Sequence, residues 1–229
     1  MNLDNKHKLD NPIWFALQET HKSKSIDFNS VAAYKPNFCS FIGSKNNKNI
    51  QEAYLKYSKL SPTFFSFGEK PVLDFPLKID VELKCLQMIL YNDINLSITE
   101  EIVTLNVNHQ KEVFNLVNLV QPGYFNRDTF LLGKYYGIFK DNKLVAVTGE
   151  RMLLNDFTEI SAVVTHPDYV KKGYAKQLIT HCVNVIFKEG KIPFLHVLET
   201  NETAVNVYLK LGFETRKYFS IWKITATKQ

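Results

Sequence analysis

Cysteine is scarce in this chain, and long apolar segments are missing. The 229 residues include three cysteines, Cys39, Cys85 and Cys182, an odd number with no Cys-x-x-Cys pair. Such a set does not form a disulfide framework and is typical of a reducing compartment. No apolar run approaches the ~18–20 residues of a membrane span, and Met1–Asp10 lacks the apolar centre of a signal peptide. We therefore expect a cytoplasmic protein without a membrane partner.

The sequence also lacks a large charge excess and metal-binding clusters. Its formal net charge is +5, with the basic residues spread along the chain. This charge suits an anionic ligand, but proteins that bind nucleic acids concentrate their basic residues, so we expect no nucleic-acid partner. His166 and His196 have no His or Cys partner at metal-ligand spacing, so we predict no metal.

The most informative segment of the sequence is residues 158–176. Five of its first eight residues are β-branched and the segment alternates, which predicts a strand that ends before Pro167. From Ala175 the apolar residues keep helical spacing as far as Gly190, a C-terminal stop signal. The segment therefore predicts a strand, a tight loop and a helix, with Gly173 at the entrance to the helix.

This strand–loop–helix junction has the properties of an anion-binding site. The first amides of a helix have no intrahelical partner and lie at its positive end. Gly173 has no Cβ, so a ligand can approach the backbone closely, and Lys171 and Lys172 add positive charge. Strand–glycine–helix junctions are common, however, so on spacing alone a plain turn is an equal alternative.

Two segments resemble motifs of the GNAT acetyltransferase superfamily. Thr165–Ala175 is similar to its acetyl-CoA pyrophosphate loop, Gln/Arg-x-x-Gly-x-Gly/Ala, with Val170 in place of Gln or Arg. Residues 194–213 resemble its fifth strand, the following Asn-x-x-Ala-x-x-x-Tyr helix and the closing Leu-Gly-Phe. Two motifs in the right order are more specific than either alone, and the resemblance covers about residues 101–224.

The resemblance implies an α/β (α+β) fold, with a mixed, mostly antiparallel twisted sheet flanked by helices, and acetyl-CoA (coenzyme A) as the cofactor. In the family, loop amides bind the pyrophosphate, a bulged fourth strand offers an N–H to the thioester, and an Asn contacts the pantetheine arm. The implied cofactor-binding residues are Val163, Val164, Thr165, Val170, Lys171, Lys172, Gly173, Tyr174, Ala175, Lys176, Asn201, Ala204 and Tyr208.

Acetyl transfer to an amine needs a proton donor for the departing thiolate, and the resemblance implies Tyr208 for this role. Tyr208 follows Ala204 by four residues, so both lie on the helix face that points towards the cofactor in the family. The alternative is an aromatic side chain that packs in the core.

The amine must also lose a proton, and Glu159 is the candidate general base. It lies fourteen residues before Gly173, the separation of the base glutamate in histone-type members of the superfamily. Strand alternation would place it with Ser161 and Val163 on one face, towards the cleft. We expect burial there to raise its pKa, while a solvated glutamate at a strand end is an equal alternative.

The acceptor site is less defined. The Tyr124-Phe125 pair lies where family members build the acceptor pocket and indicates an apolar or aromatic wall. His166 and His196 are weaker candidates for proton transfer, and His166 is expected to pack the loop. The acceptor is a small-molecule or peptide amine, and the sequence indicates neither its identity nor the oligomeric state.

The first 98 residues contain no motif with a chemical mechanism. Their patterns predict helices over 12–21 and 50–60, one short strand within 22–50, and strands at 63–67 and 84–90. A break at 92–97 predicts two domains, 1–98 and 99–229. We interpret the first as a degenerate half of the same fold, with an unrelated cap as the alternative.

The second domain follows the family's order of elements, β-α-α-β-β-β-α-β-α-β, with a hairpin turn at 141–143. The leading hypothesis is an acetyl-CoA-dependent N-acetyltransferase that uses direct transfer in a ternary complex. The alternatives are a non-catalytic module that binds coenzyme A and, ranked third, a polyanion-binding or scaffold protein that uses the lysine-rich N-terminal half.

Overall fold

The computed structural model describes residues 3–46 and 50–227. The elements of the N-terminal part are α1 (Pro12–Gln18), β1 (Ser25–Asp27), β2 (Val31–Tyr34), β3 (Phe41–Ser44), α2 (Ile50–Ser58), β4 (Thr63–Phe67) and β5 (Leu77–Ile89). Those of the C-terminal part are β6 (Val103–Leu105), α3 (Gln110–Val120), β7 (Tyr135–Lys140), β8 (Lys143–Leu153), β9 (Phe157–Thr165), α4 (Tyr174–Lys188), β10 (Ile192–Leu198), α5 (Glu202–Lys210) and β11 (Glu214–Ala226). A 3₁₀ segment, Leu3–Asp10, precedes α1 and is called the N-terminal turn below.

The described strands form a single mixed sheet, in the order β1-β2-β3-β4-β11-β5-β10-β9-β8-β7-β6. Only the pairs β3–β4 and β9–β10 are parallel among them. Helices α1 and α3 pack on one face and α2 and α4 on the other, each through a buried apolar stripe. This confirms the predicted fold class. No helix in the described part of the chain is long and apolar enough to cross a membrane.

The sheet has an internal pseudo-twofold relation about its centre, between β11 and β5. On one side of the centre, β11 pairs antiparallel with β4, and β4 pairs in parallel with β3. On the other side, β5 pairs antiparallel with β10, and β10 pairs in parallel with β9. Helix α2 connects the first parallel pair and α4 connects the second. This topology favours a degenerate copy of the fold in the N-terminal half, and the boundary at residue 98 stays a prediction.

The two halves exchange strands. The N-terminal half supplies β5, which lies between β10 and β11 of the C-terminal half. In return, β11 pairs with β4 along five residue pairs, Thr63–Phe67 against Ile221–Thr225. The sheet is therefore continuous across the predicted domain boundary.

Several local predictions hold and others need correction. Helix α1 begins at Pro12 but ends at Gln18, and the Asn11 side chain donates to the Ser44 carbonyl (2.6 Å) instead of capping the helix. The single strand expected within residues 22–50 is three strands. In the second of them, β2, all four residues are buried, so it shows no alternation that a sequence pattern could detect.

In the C-terminal half the helix and turn signals correspond to the structure. Asp141 and Asn142 have φ of 50° and 60° and form the predicted hairpin turn. Gly190, at the end of α4, has a φ of 75°, which only glycine adopts without strain. The short helix expected from Asn126 is a 3₁₀ turn at Thr129–Leu132.

Candidate active site

Strands β9 and β10 stop pairing part-way along their length, and we call the gap between their unpaired ends the cleft. The two strands pair in parallel only as far as Glu159 and Phe194. Beyond that point β9 continues to Thr165 and β10 to Leu198 without pairing to each other. Both strands keep their other neighbours, β8 and β5, so the sheet parts along this one line. Glu159 therefore marks the vertex of the cleft.

The β9 side of the cleft carries a bulge. Val147 of β8 pairs with Val164, whereas Gly149 pairs with Ser161, so β9 holds one extra residue in this interval. Ala162 takes up the extra length with a φ of 52°. The bulge lies where the resemblance implied it. Contact between the N–H of Val163, Val164 or Thr165 and a thioester stays a prediction.

The loop from β9 to α4 has the backbone of an anion site. Lys171 and Gly173 have φ of 63° and 80°, and helix α4 begins without any side-chain cap on its first N–H groups. Lys172 is exposed, with its ammonium 4.9 Å from the centre of the Tyr169 ring. Together, uncapped amides at the positive helix end and neighbouring lysines suit a diphosphate.

The other loop residues separate into exposed and packed positions. Val170, the departure from the family pattern, is 49% exposed. Tyr174 is buried, and the Lys140 ammonium lies 5.6 Å from its ring centre. His166 accepts a hydrogen bond from the Asp168 N–H (3.3 Å) and its ring packs edge-on against Tyr169, which agrees with the expected role in packing the loop.

Helix α5 carries two further candidates. The Asn201 side chain accepts from the Ala204 N–H at 3.2 Å and so caps the helix, while a contact with a pantetheine arm stays a prediction. Tyr208 is 8% exposed and packs edge-on against Phe213. Burial raises the pKa of the Tyr208 hydroxyl, so the phenol keeps its proton at neutral pH and can act as a donor.

The expectations for Glu159 need correction. The residue is fully buried, so it is not a solvated strand-end glutamate. Burial alone would raise the pKa of Glu159, but the Arg151 charge and the hydrogen bonds from Arg151 and His196 outweigh it and lower that pKa to about 2. The bulge at Ala162 also interrupts the alternation, so Val163 packs on the α4 face while Glu159 lies on the other.

Glu159 belongs to a group that the sequence did not indicate, which we call the polar row. It consists of one side chain on each of five adjacent strands: Arg216 on β11, Gln87 on β5, His196 on β10, Glu159 on β9 and Arg151 on β8. Arg151 binds both carboxylate oxygens of Glu159, at 2.7 Å each. His196 Nδ1 lies 2.9 Å from the same carboxylate.

Aromatic side chains from both halves lie next to the polar row. The Tyr124 ring is 5.5 Å from that of Phe65 on β4, and the Phe41 ring contacts both Phe65 and Phe67. Phe67 in turn packs edge-on against His196. An aromatic wall near Tyr124 agrees with the sequence, whereas the contribution from the N-terminal half was missed because no spacing links the segments. Its use by an acceptor stays a prediction.

Comparisons with known proteins agree on the fold. The family described as FR47-like protein matches residues 135–222, from β7 into β11. A structure from Novosphingobium aromaticivorans, assigned to the GNAT family of acetyltransferases, has a TM-score of 0.88 at 25% identity, and the match covers 97% of this chain and 100% of that one. A GCN5-related N-acetyltransferase from Kribbella flavida has a TM-score of 0.65 at 12% identity, covering 95% of each chain, which shows the fold alone. No curated protein matches the sequence.

These similarities, together with the fold, support an acyltransferase. The matched family model, over residues 135–222, and the Novosphingobium structure are consistent with the GNAT superfamily.

Proposed function

We propose that the protein is an N-acetyltransferase that transfers the acetyl group of acetyl-CoA directly to a primary amine. The observation that carries the proposal is the cleft between β9 and β10, with the uncapped start of α4 at its edge. Coenzyme A supplies the acetyl group as a thioester and presents a diphosphate. The loop Val170–Lys176 would hold that diphosphate through its backbone amides, assisted by Lys171 and Lys172.

In this proposal the bulge of β9 stabilises the negative charge that develops in the transition state. An N–H from Val163, Val164 or Thr165 would donate to the carbonyl oxygen as it gains negative charge. The amine nitrogen then forms a bond to the acetyl carbon and the carbon–sulfur bond breaks. The Tyr208 hydroxyl would give its proton to the departing sulfur, and the proton that the amine loses would return to Tyr208 through solvent, so that the products are the amide and the free thiol. Asn201 and Ala204 would contact the pantetheine arm.

The acceptor side would be built from both halves. Tyr124 lies against Phe65 of the N-terminal half, so an amine carried on an apolar or aromatic group fits this wall better than a highly charged polyamine. Both small molecules and peptide N-termini satisfy this description. The three cysteines are free and buried, which suits a cytoplasmic protein.

The test is release of free thiol from acetyl-CoA in the presence of a panel of primary amines. With an accepted amine, we expect Tyr208→Phe to lower kcat on the order of 100-fold while acetyl-CoA binding is kept. Tyr136→Phe is the matched control, because Tyr136 is also a buried tyrosine of the same cluster, 2% exposed against 8% for Tyr208. Equal losses in both variants would contradict the role of Tyr208.

A module that binds coenzyme A without turnover is the second candidate. Val170 favours it, because an exposed valine stands where the family has a phosphate-binding Gln or Arg. This candidate predicts binding of coenzyme A, no thiol release with any amine, and no effect of Tyr208→Phe.

A further inference from the structure

We infer that Glu159 is a positioning residue, which fixes the vertex of the cleft through the polar row and does not take the proton from the amine. The inference rests on the proposed acetyl transfer. Three observations support it: the atoms of the polar row already have hydrogen-bond partners, Glu159 lies where β9 stops pairing with β10, and the row connects the two halves of the chain.

The hydrogen-bond directions in the row can be worked out from its end. Arg216 only donates, so the atom of Gln87 that it contacts at 2.7 Å is the amide oxygen. The amide nitrogen of Gln87 therefore faces His196 Nε2, at 3.0 Å, and donates to it. Since Nε2 accepts, the ring hydrogen of the neutral His196 is on Nδ1 and donates to Glu159.

Both oxygens of Glu159 are consequently occupied. Oε2 accepts from Arg151 Nε, and Oε1 accepts from Arg151 Nη2 and from His196 Nδ1. The Glu159 side chain is 1% exposed and that of His196 is 2% exposed. A general base must come within hydrogen-bond reach of the amine, directly or through one water. Three of the roughly four acceptor sites of this carboxylate are used within the row, and burial keeps the remaining one on Oε2 away from solvent.

The location of Glu159 explains what the row does. Glu159 is the last residue of β9 to pair with β10, and the bulge begins three residues later at Ala162. Its ion pair ties β9 to β8, and the hydrogen bond from His196 ties β9 to β10. The Arg151 guanidinium also lies 4.8 Å from the centre of the Phe41 ring. The Glu159–Arg151 ion pair therefore fixes the point at which β9 and β10 separate.

The row also reaches the N-terminal half. The second amide hydrogen of Gln87 is donated to the Leu9 carbonyl oxygen at 2.7 Å, and Arg216 contacts Asp10 at 2.9 Å. Both acceptors lie in the N-terminal turn, and Gln87 itself is fully buried. The geometry of the cleft therefore depends on contacts that the N-terminal half supplies.

The test compares Glu159→Gln, Arg151→Gln and the double variant. Each single variant leaves one buried charge or an unmatched partner, whereas the double variant removes the charge pair and keeps an oxygen to accept from His196. We expect Glu159→Gln to weaken acetyl-CoA binding on the order of tenfold or more and to lower kcat, because the strands part differently. The double variant is expected to recover both quantities to within about threefold of the wild type, with an unchanged pH profile of kcat/KM.

A general base gives a different pattern. In that case Glu159→Gln keeps the acetyl-CoA affinity and lowers kcat on the order of 100-fold or more, and the double variant is no better because it has no carboxylate. That pattern, or wild-type values in all three variants, overturns the inference. If the single variants do not fold, a folded double variant with near-wild-type acetyl-CoA affinity supports it, and a double variant that is unfolded or fails to bind overturns it. Acetyl-CoA affinity decides even if no amine is acetylated, so the failure of the proposed function is seen separately.

Discussion

At the scale of single residues, His21 connects the two halves of the chain through one buried ring. Leu132 lies in the C-terminal half, and its carbonyl oxygen is 2.9 Å from His21 Nε2. A carbonyl oxygen only accepts, so Nε2 carries the hydrogen and Nδ1 accepts from the Tyr34 hydroxyl at 2.8 Å. Burial lowers the pKa of His21 from 6.5 to about 4. The neutral ring is therefore the form that stabilises the fold.

This shift predicts a loss of stability in mild acid. Between pH 6.5 and 4 the unfolded chain binds a proton at residue 21 and the folded chain does not, so the free energy of unfolding falls as the pH is lowered. The contribution from pH 7 to pH 5 is about 2 kcal/mol. Urea unfolding at the two pH values should show this difference shrink in His21→Gln and persist in His7→Gln, which changes an exposed histidine. An unchanged pH dependence in His21→Gln would contradict the assignment.

At the scale of elements, the bulge of β9 depends on Ala162 in a left-handed conformation. A β-branched side chain at this φ of 52° is strongly disfavoured, whereas glycine accepts it without strain. We predict that Ala162→Val lowers the free energy of unfolding by about 1–3 kcal/mol and weakens acetyl-CoA binding, since the bulge must move. Ala162→Gly should keep the affinity. Thermal melts with and without acetyl-CoA measure both effects, and equal affinities in the two variants would argue against a role for the bulge.

The elements also show what the sequence could predict. Helix α4 and the β7–β8 hairpin carry their own stop and turn residues, so the limits of the helix and the position of the turn were predicted closely. Strand β5 was predicted only from residue 84, although Leu77–Leu83 alternates apolar and charged residues, a strand signal that was missed. The polar row could not be predicted, since Gln87 and Arg216 are 129 positions apart and only strand exchange brings them together. The expected rise in the pKa of Glu159 was wrong for the same reason, because the pairing of β8, β9 and β10 places Arg151 and His196 beside the carboxylate.

At the scale of the whole molecule, the exchanged strands make each half incomplete. Without residues 1–98, strands β10 and β11 lose β5, which lies between them, and both present unpaired edges. We predict that residues 99–229 expressed alone aggregate and that co-expression with residues 1–98 yields a folded complex. Sedimentation and circular dichroism of the two preparations test this. A folded, monomeric 99–229 fragment would contradict the exchange.

The pseudo-twofold relation raises the question of a second cofactor site. Between the ends of β3 and β4 lies a cleft of about 680 Å³, where the relation places the counterpart of the β9–β10 cleft. In the sequence, five residues and no glycine separate Ser44 of β3 from Ile50 of α2. In the C-terminal half, eight residues that include Gly173 separate Thr165 of β9 from Tyr174 of α4. The N-terminal turn also packs there, with Asp10 held by Lys217 at 2.7 Å. We predict one coenzyme A per chain by isothermal titration, and a stoichiometry of two would contradict the loss of the second site.

The most direct test of the central claim, that the β9–α4 loop binds coenzyme A, is a thermal-melt titration with acetyl-CoA, coenzyme A and ATP. A ligand at a hundredfold excess over its Kd stabilises the native state by about 2.7 kcal/mol. We expect both coenzyme A ligands to raise the melting temperature and ATP to have no effect. The shift should be lost in Gly173→Glu and kept in Gly190→Glu, because both glycines have positive φ and open surroundings at opposite ends of α4. No shift with coenzyme A in the wild type, or an equal shift in Gly173→Glu, would contradict the account.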